Sequence, residues 1–211
     1  MSSANQSIPI LVAGALGRMG SEVIKAIISS KDFQLVGAID NQKEKEGQDI
    51  GSLIGLGPLN VFLSTDFEGS LCAASQNVPK DGSNNGAVLV DFTHPKVAYK
   101  HTRTSIAYGV HPVIGTTGFT ADQLEDLSKF AEKASLGSAI IPNFSVGMVL
   151  LQQAAATAAR FYEFAELTEM HHNKKADAPS GTCIKTAELI EEQRSVFNKS
   201  LVNEEESIEG S

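Results

Sequence analysis

The sequence predicts an α/β fold: a parallel sheet with helices on both faces, followed by a second domain of α+β character. Three observations predict it. From residue 8 to residue 141, short apolar runs alternate with amphipathic stretches, the order expected of successive right-handed strand–helix–strand units. The first strand-to-helix turn is rich in glycine. Beyond Pro142-Asn143-Phe144-Ser145 the alternation gives way to a long, nearly neutral helix and a basic motif. The boundary therefore divides residues 1–142 from residues 143–211.

Taken in order, Ile8–Val12 is a short apolar run ending in Ala13-Gly14 and reads as a buried parallel strand. The turn Gly14-Ala15-Leu16-Gly17-Arg18-Met19-Gly20 feeds a helix with Met19, Val23, Ile24 and Ile27 on one side. Gln34–Ile39 is the second strand and Asp40 closes it. This is a Rossmann-like, dinucleotide-binding layout. Glycines let the backbone approach a pyrophosphate at a helix N-terminus, and an acid roughly 20 residues on meets the ribose hydroxyls. The spacing departs from G-x-G-x-x-G because position 16 is Leu, so the order of elements carries more weight than the glycines alone.

Asn41–Asn60 reads as a loop with a short helix, Val61–Leu63 as a strand, Phe67–Ala74 as a short helix and Gln76–Gly86 as a surface loop. Ala87–Phe92 is another buried strand. Ligands in open α/β sheets bind outside the carboxyl ends of strands, so Phe92 and Thr93 are candidate cofactor contacts. A helix over Lys96–Tyr108 and a strand over Pro112–Ile114 follow, and Gly115-Thr116-Thr117-Gly118 again occupies the ligand position. Ala121–Ala134 is a helix and Ser138–Ile141 a strand. In the second domain, Val146–Phe161 reads as a helix, Glu163–Met170 as a strand, and Thr182–Gln193 as a helix. Ser195–Ser211 is polar and acidic.

Composition excludes several classes. A hydrophobic content of 42% with 20% charged residues describes a globular chain. The net charge of −8 argues against nucleic acid or an anionic membrane as partner. No apolar run is long enough to span a membrane, and the N-terminus lacks a signal-peptide pattern. Cys72 and Cys183 fit no metal or redox spacing and read as free thiols of a cytoplasmic protein.

Against the acidic background, Glu169-Met170-His171-His172-Asn173-Lys174-Lys175-Ala176-Asp177-Ala178-Pro179-Ser180-Gly181-Thr182 stands out. In an extended segment His171 and Lys175 share one face and His172 takes the other. That alternation, and the lack of a third ligand, argue against a metal site. Pro179 ends the segment, Ser180, Gly181 and Thr182 suit a helix N-cap, and the helix start is a ready anion site. A proton donor would then sit beside an anion cradle. His94, His101 and His111 are singletons with no role assigned.

Together these motifs resemble the 4-hydroxy-tetrahydrodipicolinate reductases (dihydrodipicolinate reductases) of diaminopimelate and lysine synthesis. The resemblance rests on Val12–Gly20, Asp91-Phe92-Thr93, Gly115–Gly118, Asn143-Phe144-Ser145-Val146-Gly147 and Glu169–Thr182. It implies NADPH or NADH as cofactor, a small dicarboxylate substrate and a homotetramer. Gly14, Ala15, Leu16, Gly17, Arg18 and Met19 would hold the pyrophosphate and Asp40 the adenosine ribose. Phe92 and Thr93 would join the cofactor site, and Gly115, Thr116 and Thr117 with Ile141, Pro142, Asn143 and Phe144 would line the nicotinamide. His171 matches the proton donor and Lys175 a second acid–base or carboxylate-binding residue. His172, Gly181 and Thr182 match substrate contacts, and Asn143-Phe144-Ser145 the hinge. Asp40 favours NADH by repelling a 2′-phosphate, while Arg18 and Lys43 could attract one, so dual use is expected.

The resemblance ends early. Members of the family continue past the position of Ser211 with an arginine–glycine segment, further strands and a last helix. The alternative is therefore a truncated relative that binds the dinucleotide without catalysis. A reductase of the same first half acting on a sugar or amino acid gives no reason for the His171–Thr182 motif.

Overall fold

A computed structural model of the chain describes residues 7–76, 86–141, 143–162, 164–171 and 178–194. It divides into two compact units, Met1–Phe144 and Ser145–Ser211.

The first unit is built on β1 (Ile8–Ala13), β2 (Phe33–Ile39), β3 (Leu63–Ser64), β4 (Val88–Asp91), β5 (His111–Ile114) and β6 (Ala139–Ile140). Among the described residues these form one parallel sheet in the order β3-β2-β1-β4-β5-β6. Period-two alternation explains why β1 is apolar throughout. Ile10 and Val12 face a core with Ile24 and Ile27 of α1 (Arg18–Ser29), while Leu11 and Ala13 face the opposite core with Leu71, Ala74 and Leu89. Both faces are thus buried. The chain leaves β1 in one direction for β2 and later fills the other side with β4, so the sheet order reverses between β1 and β4. A crevice opens at that switch point, outside the carboxyl ends of the strands.

Short helices connect the strands: α2 (Ile50–Leu53), α3 (Phe67–Gln76), α4 (Pro95–Ala107) and α5 (Ala121–Ala134). Proline at the first position of α4 and the His94 ring, which accepts from Lys96 N at 3.2 Å, set its start. In α5 the Thr120 hydroxyl accepts from Gln123 N and the Gln123 side chain accepts from Thr120 N, a complete capping box. The expected strand at Val61–Leu63 is displaced to Leu63–Ser64, because Val61 and Phe62 are engaged elsewhere. Val61 accepts from Ile50 N at 2.9 Å, and Phe62 forms an antiparallel bridge with Asp49.

The second unit contains α6 (Val146–Ala158) and α7 (Gly181–Gln193) among its described residues. They pack through a polar contact in which buried Gln152 donates from Nε2 to Thr186 Oγ1 at 3.0 Å. The helix expected to reach Phe161 ends at Ala158. The expected strand at Glu163–Met170 is corrected: residues 164–170 form neither strand nor helix. A strand exists only through its ladder, and no described segment of this unit pairs with it. Glu163 itself lies outside the described residues.

Candidate active site

The turn after β1 is shaped by close approach. Gly14 has φ +75°, and a Cβ there would lie 2.8 Å from the carbonyl oxygen of Phe92; one on Gly20 would lie 2.1 Å from that of Gly14. Neither position has room for a side chain. Gly17 occupies the N-cap of α1 without any side-chain cap, which leaves first-turn N–H groups available to an anion. Ala15 is fully buried in the core and its N–H bonds to Ile39 O at 3.1 Å. Arg18 and Met19 are exposed at the helix start.

Asp40 stands at the end of β2 as a backbone acceptor. Leu16 N donates to Oδ2 at 3.0 Å and Asn41 N to Oδ1 at 2.8 Å. Leu at position 16 thus supplies an N–H that fixes the acid against the glycine turn. Each carboxylate oxygen has capacity for a further donor, the requirement for binding sugar hydroxyls.

Gly14, Gly17, Asp40, Phe92 and Thr93 line one cavity of about 360 Å³ at the switch point. These five expected residues are brought together. Gly115 lies beside them in the fold, since a Cβ on it would collide with the Phe92 ring at 2.1 Å. Phe92 in turn meets Phe144, with centroids 5.3 Å apart and planes tilted by 54°. Thr116 is buried, Thr117 exposed, and Ile141 N donates to Ile114 O at 2.9 Å. Asn143 is half-buried; Pro142 lies outside the described residues.

Sequence reasoning read Asp91 as a strand end but missed its partner His101. Asp91, fully buried, accepts from Thr93 N at 2.7 Å, from the Thr93 hydroxyl, and pairs with His101 Nδ1 at 2.7 Å. The His101 ring stacks on Phe67 with centroids 4.0 Å apart, and both rings line the cavity. The signal was present: His94, Val97 and His101 recur at i, i+3 and i+7, one face of α4, and all three line the cavity.

In the second unit, Glu169 organises what is described of the basic motif. One oxygen accepts from Ser180 N at 2.9 Å; the other accepts from the Ser180 hydroxyl and stands 3.8 Å from His171 Nδ1. Ser180 caps α7 by accepting from Cys183 N at 3.1 Å. His171, Glu169, Ser180 and Thr182 line a second, largely apolar cavity of about 400 Å³. Gly181 is exposed at the first position of α7. His172 and Lys175 lie outside the described residues. Among the described residues no group of His, Cys, Asp and Glu could hold a metal ion, and no helix is long and apolar enough to cross a membrane.

Comparison with known proteins covers both units. The family model for the N-terminus of dihydrodipicolinate reductase matches residues 8–144, and that for its C-terminus matches residues 147–209. The chain is 91% identical over 211 residues to the 4-hydroxy-tetrahydrodipicolinate reductase of Prochlorococcus marinus (strain NATL2A), covering all of this chain and 75% of that protein. It is 68% identical over 203 residues to that of Synechococcus sp. (strain CC9605), covering 96% and 73%. Among solved structures, the dipicolinate-bound dihydrodipicolinate reductase from Paenisporosarcina sp. TG-14 superposes with a TM-score of 0.71 at 33% identity, covering 98% of this chain and 74% of that one.

Proposed function

The chain belongs to the dihydrodipicolinate reductase family, and from that premise we infer how its residues divide the work. The protein is an oxidoreductase that uses NADH or NADPH to reduce 4-hydroxy-tetrahydrodipicolinate to tetrahydrodipicolinate, in diaminopimelate and lysine synthesis. The residues of the first unit fit a dinucleotide, because Gly14 and Gly20 leave no space for a Cβ and the start of α1 lacks a side-chain cap. We assign the pyrophosphate to Gly14–Met19, the adenosine ribose to Asp40 with Phe92 and Thr93 alongside, and the nicotinamide to Gly115, Thr116, Thr117 and residues 141–144. When bound, the reduced nicotinamide supplies hydride.

The second unit, in this reading, receives a small dicarboxylate. His172, Lys175 and the start of α7 at Gly181-Thr182 supply the positive charge and N–H donors that carboxylates need. Loss of water from the 4-hydroxy substrate leaves an unsaturated ring. Hydride adds to one ring position, and His171 gives a proton to the adjacent one, so atoms and charge balance. Lys175 is the second acid–base or carboxylate-binding group. The observation that best supports this reading is the Glu169 carboxylate, which accepts from the capping residue of α7 and stands 3.8 Å from His171 Nδ1. This supports a proton donor working beside an anion site.

We expect both coenzymes to serve, since Asp40 favours NADH while Arg18 and Lys43 attract a 2′-phosphate. A cytoplasmic homotetramer is the state implied by the family, and light scattering of the purified chain tests the assembly. The role of His171 is tested by His171→Gln. Its kcat should fall by roughly 10²- to 10⁴-fold while the Kd for NADPH stays within about twofold. Equal losses in both would overturn the assignment.

A further inference from the structure

We propose that Glu169 is a positioning residue for the proton donor: its carboxylate, tied to the start of α7, selects the tautomer and orientation of the His171 ring by its charge at ion-pair distance, 3.8 Å. The inference rests on the assignment of His171 as proton donor and deepens it.

The geometry carries it. Glu169 is three-quarters buried at its side chain and His171 is 38% exposed, so the carboxylate sits inward and the imidazole reaches outward. One Glu169 oxygen accepts from the Ser180 main-chain N–H at 2.9 Å. The other accepts from the Ser180 hydroxyl and faces His171 Nδ1 at 3.8 Å. Ser180 is 7% exposed and spends its oxygen as the cap of α7, accepting from Cys183 N. Through two bonds to one capping residue, the carboxylate is immobilised before it meets the histidine.

Chemistry supplies the consequence. An ionised carboxylate is acceptor-only, so it favours the ring form with hydrogen on Nδ1. Nε2 then takes up the second proton, and it is the imidazolium so formed that passes that proton outward from Nε2 and returns to the Nδ1–H form. The arrangement has the logic of any catalytic histidine held by a buried carboxylate: the acid is not consumed but selects the tautomer and aims the ring. The same carboxylate secures the N-cap of the helix assigned to a substrate carboxylate. A shift of the helix start therefore moves the carboxylate that the donor faces. Neither Glu→Gln nor Glu→Asp preserves both jobs. The amide loses the charge and one acceptor, whereas the shorter acid keeps the charge but not the reach.

The test uses the full chain labelled with ¹⁵N-histidine, with His171 signals assigned by their loss in His171→Gln. In the wild type the neutral ring of His171 should show the Nδ1–H tautomer as the dominant form. In Glu169→Gln the ring should become a tautomer mixture, and kcat should fall by roughly tenfold or more, with KM for NADPH within about twofold. Glu169→Asp should restore part of both. An unchanged His171 tautomer in Glu169→Gln would overturn the proposal, as would a mixture already present in the wild type. Loss of the thermal transition in Glu169→Gln shifts the decision to Glu169→Asp, in which a wild-type tautomer ratio together with wild-type kcat overturns it. If His171→Gln retains turnover, the proton-donor assignment fails, while the tautomer still decides whether Glu169 orients this ring.

Discussion

Asp91 shows what a single buried carboxylate can arrange. It is fully buried yet takes three donors, two from Thr93 and one from His101. Those bonds pin the first residues after β4 and present the His101 ring, backed by Phe67, to the cavity beside Asp40. If that cavity takes the dinucleotide, as proposed, the ring would add contact area and a polar edge to it. His101→Ala should therefore raise the Kd for NADH roughly fivefold, about 1 kcal/mol, measured by fluorescence titration, with the melting temperature followed in parallel. Unchanged affinity would remove His101 from the site. Asp91 and Phe92-Thr93 were legible in the sequence as a strand end in ligand position. The His101 partnership was not, because a hydrogen bond across ten residues leaves no local trace, whereas the 94-97-101 face of α4 was readable and went unread.

Among the elements, β1, the glycine turn and α1 act as one. A methyl on Gly20 would meet the Gly14 carbonyl at 2.1 Å, so Gly20→Ala must push helix from strand. We expect a loss of about 1–3 kcal/mol in stability, read from urea unfolding, together with weaker coenzyme binding; a variant as stable as the wild type would contradict the packing. The repeating strand–helix pattern made the sheet legible, since each strand is buried on both faces and each helix carries an apolar stripe. Two places resisted. The stretch from Asn41 to Asn60 reads as a loop with a short helix, which α2 matches, yet nothing in the sequence showed that Asp49 ties it together by accepting from Ser52, Leu59 and Asn60 N–H groups. The Ser52 N–H is the largest influence holding its carboxyl below the ordinary value; partial desolvation opposes it, and Leu59 and Asn60 add to the lowering. Residues 164–170 look like a strand by composition, but strand formation is a property of a pair, and composition reports only one member.

At the scale of the whole molecule, the proposed function gives the two units different parts of one reaction. The first contains the sheet, a core on each of its faces and the cavity at the switch point; the second contains His171, the Glu169 carboxylate and the capped helix. On the proposed assignment each unit needs the other, since hydride without a proton donor, or the reverse, completes nothing. The overall acidity of the chain, −8, leaves the basic motif as the exception that a dianionic substrate would seek. The family was legible because its motifs combine rare residue types in fixed order. The bonding of Glu169 to Ser180 was not, because it joins residues eleven apart in sequence. The central claim is that this chain reduces 4-hydroxy-tetrahydrodipicolinate, and its most direct test is oxidation of NADPH and NADH by the purified chain with that substrate generated in situ. The account predicts substrate-dependent oxidation of both coenzymes that collapses in His171→Gln. Absence of substrate-dependent oxidation while both coenzymes still bind by titration would contradict it, and would leave a dinucleotide-binding protein without reductase activity.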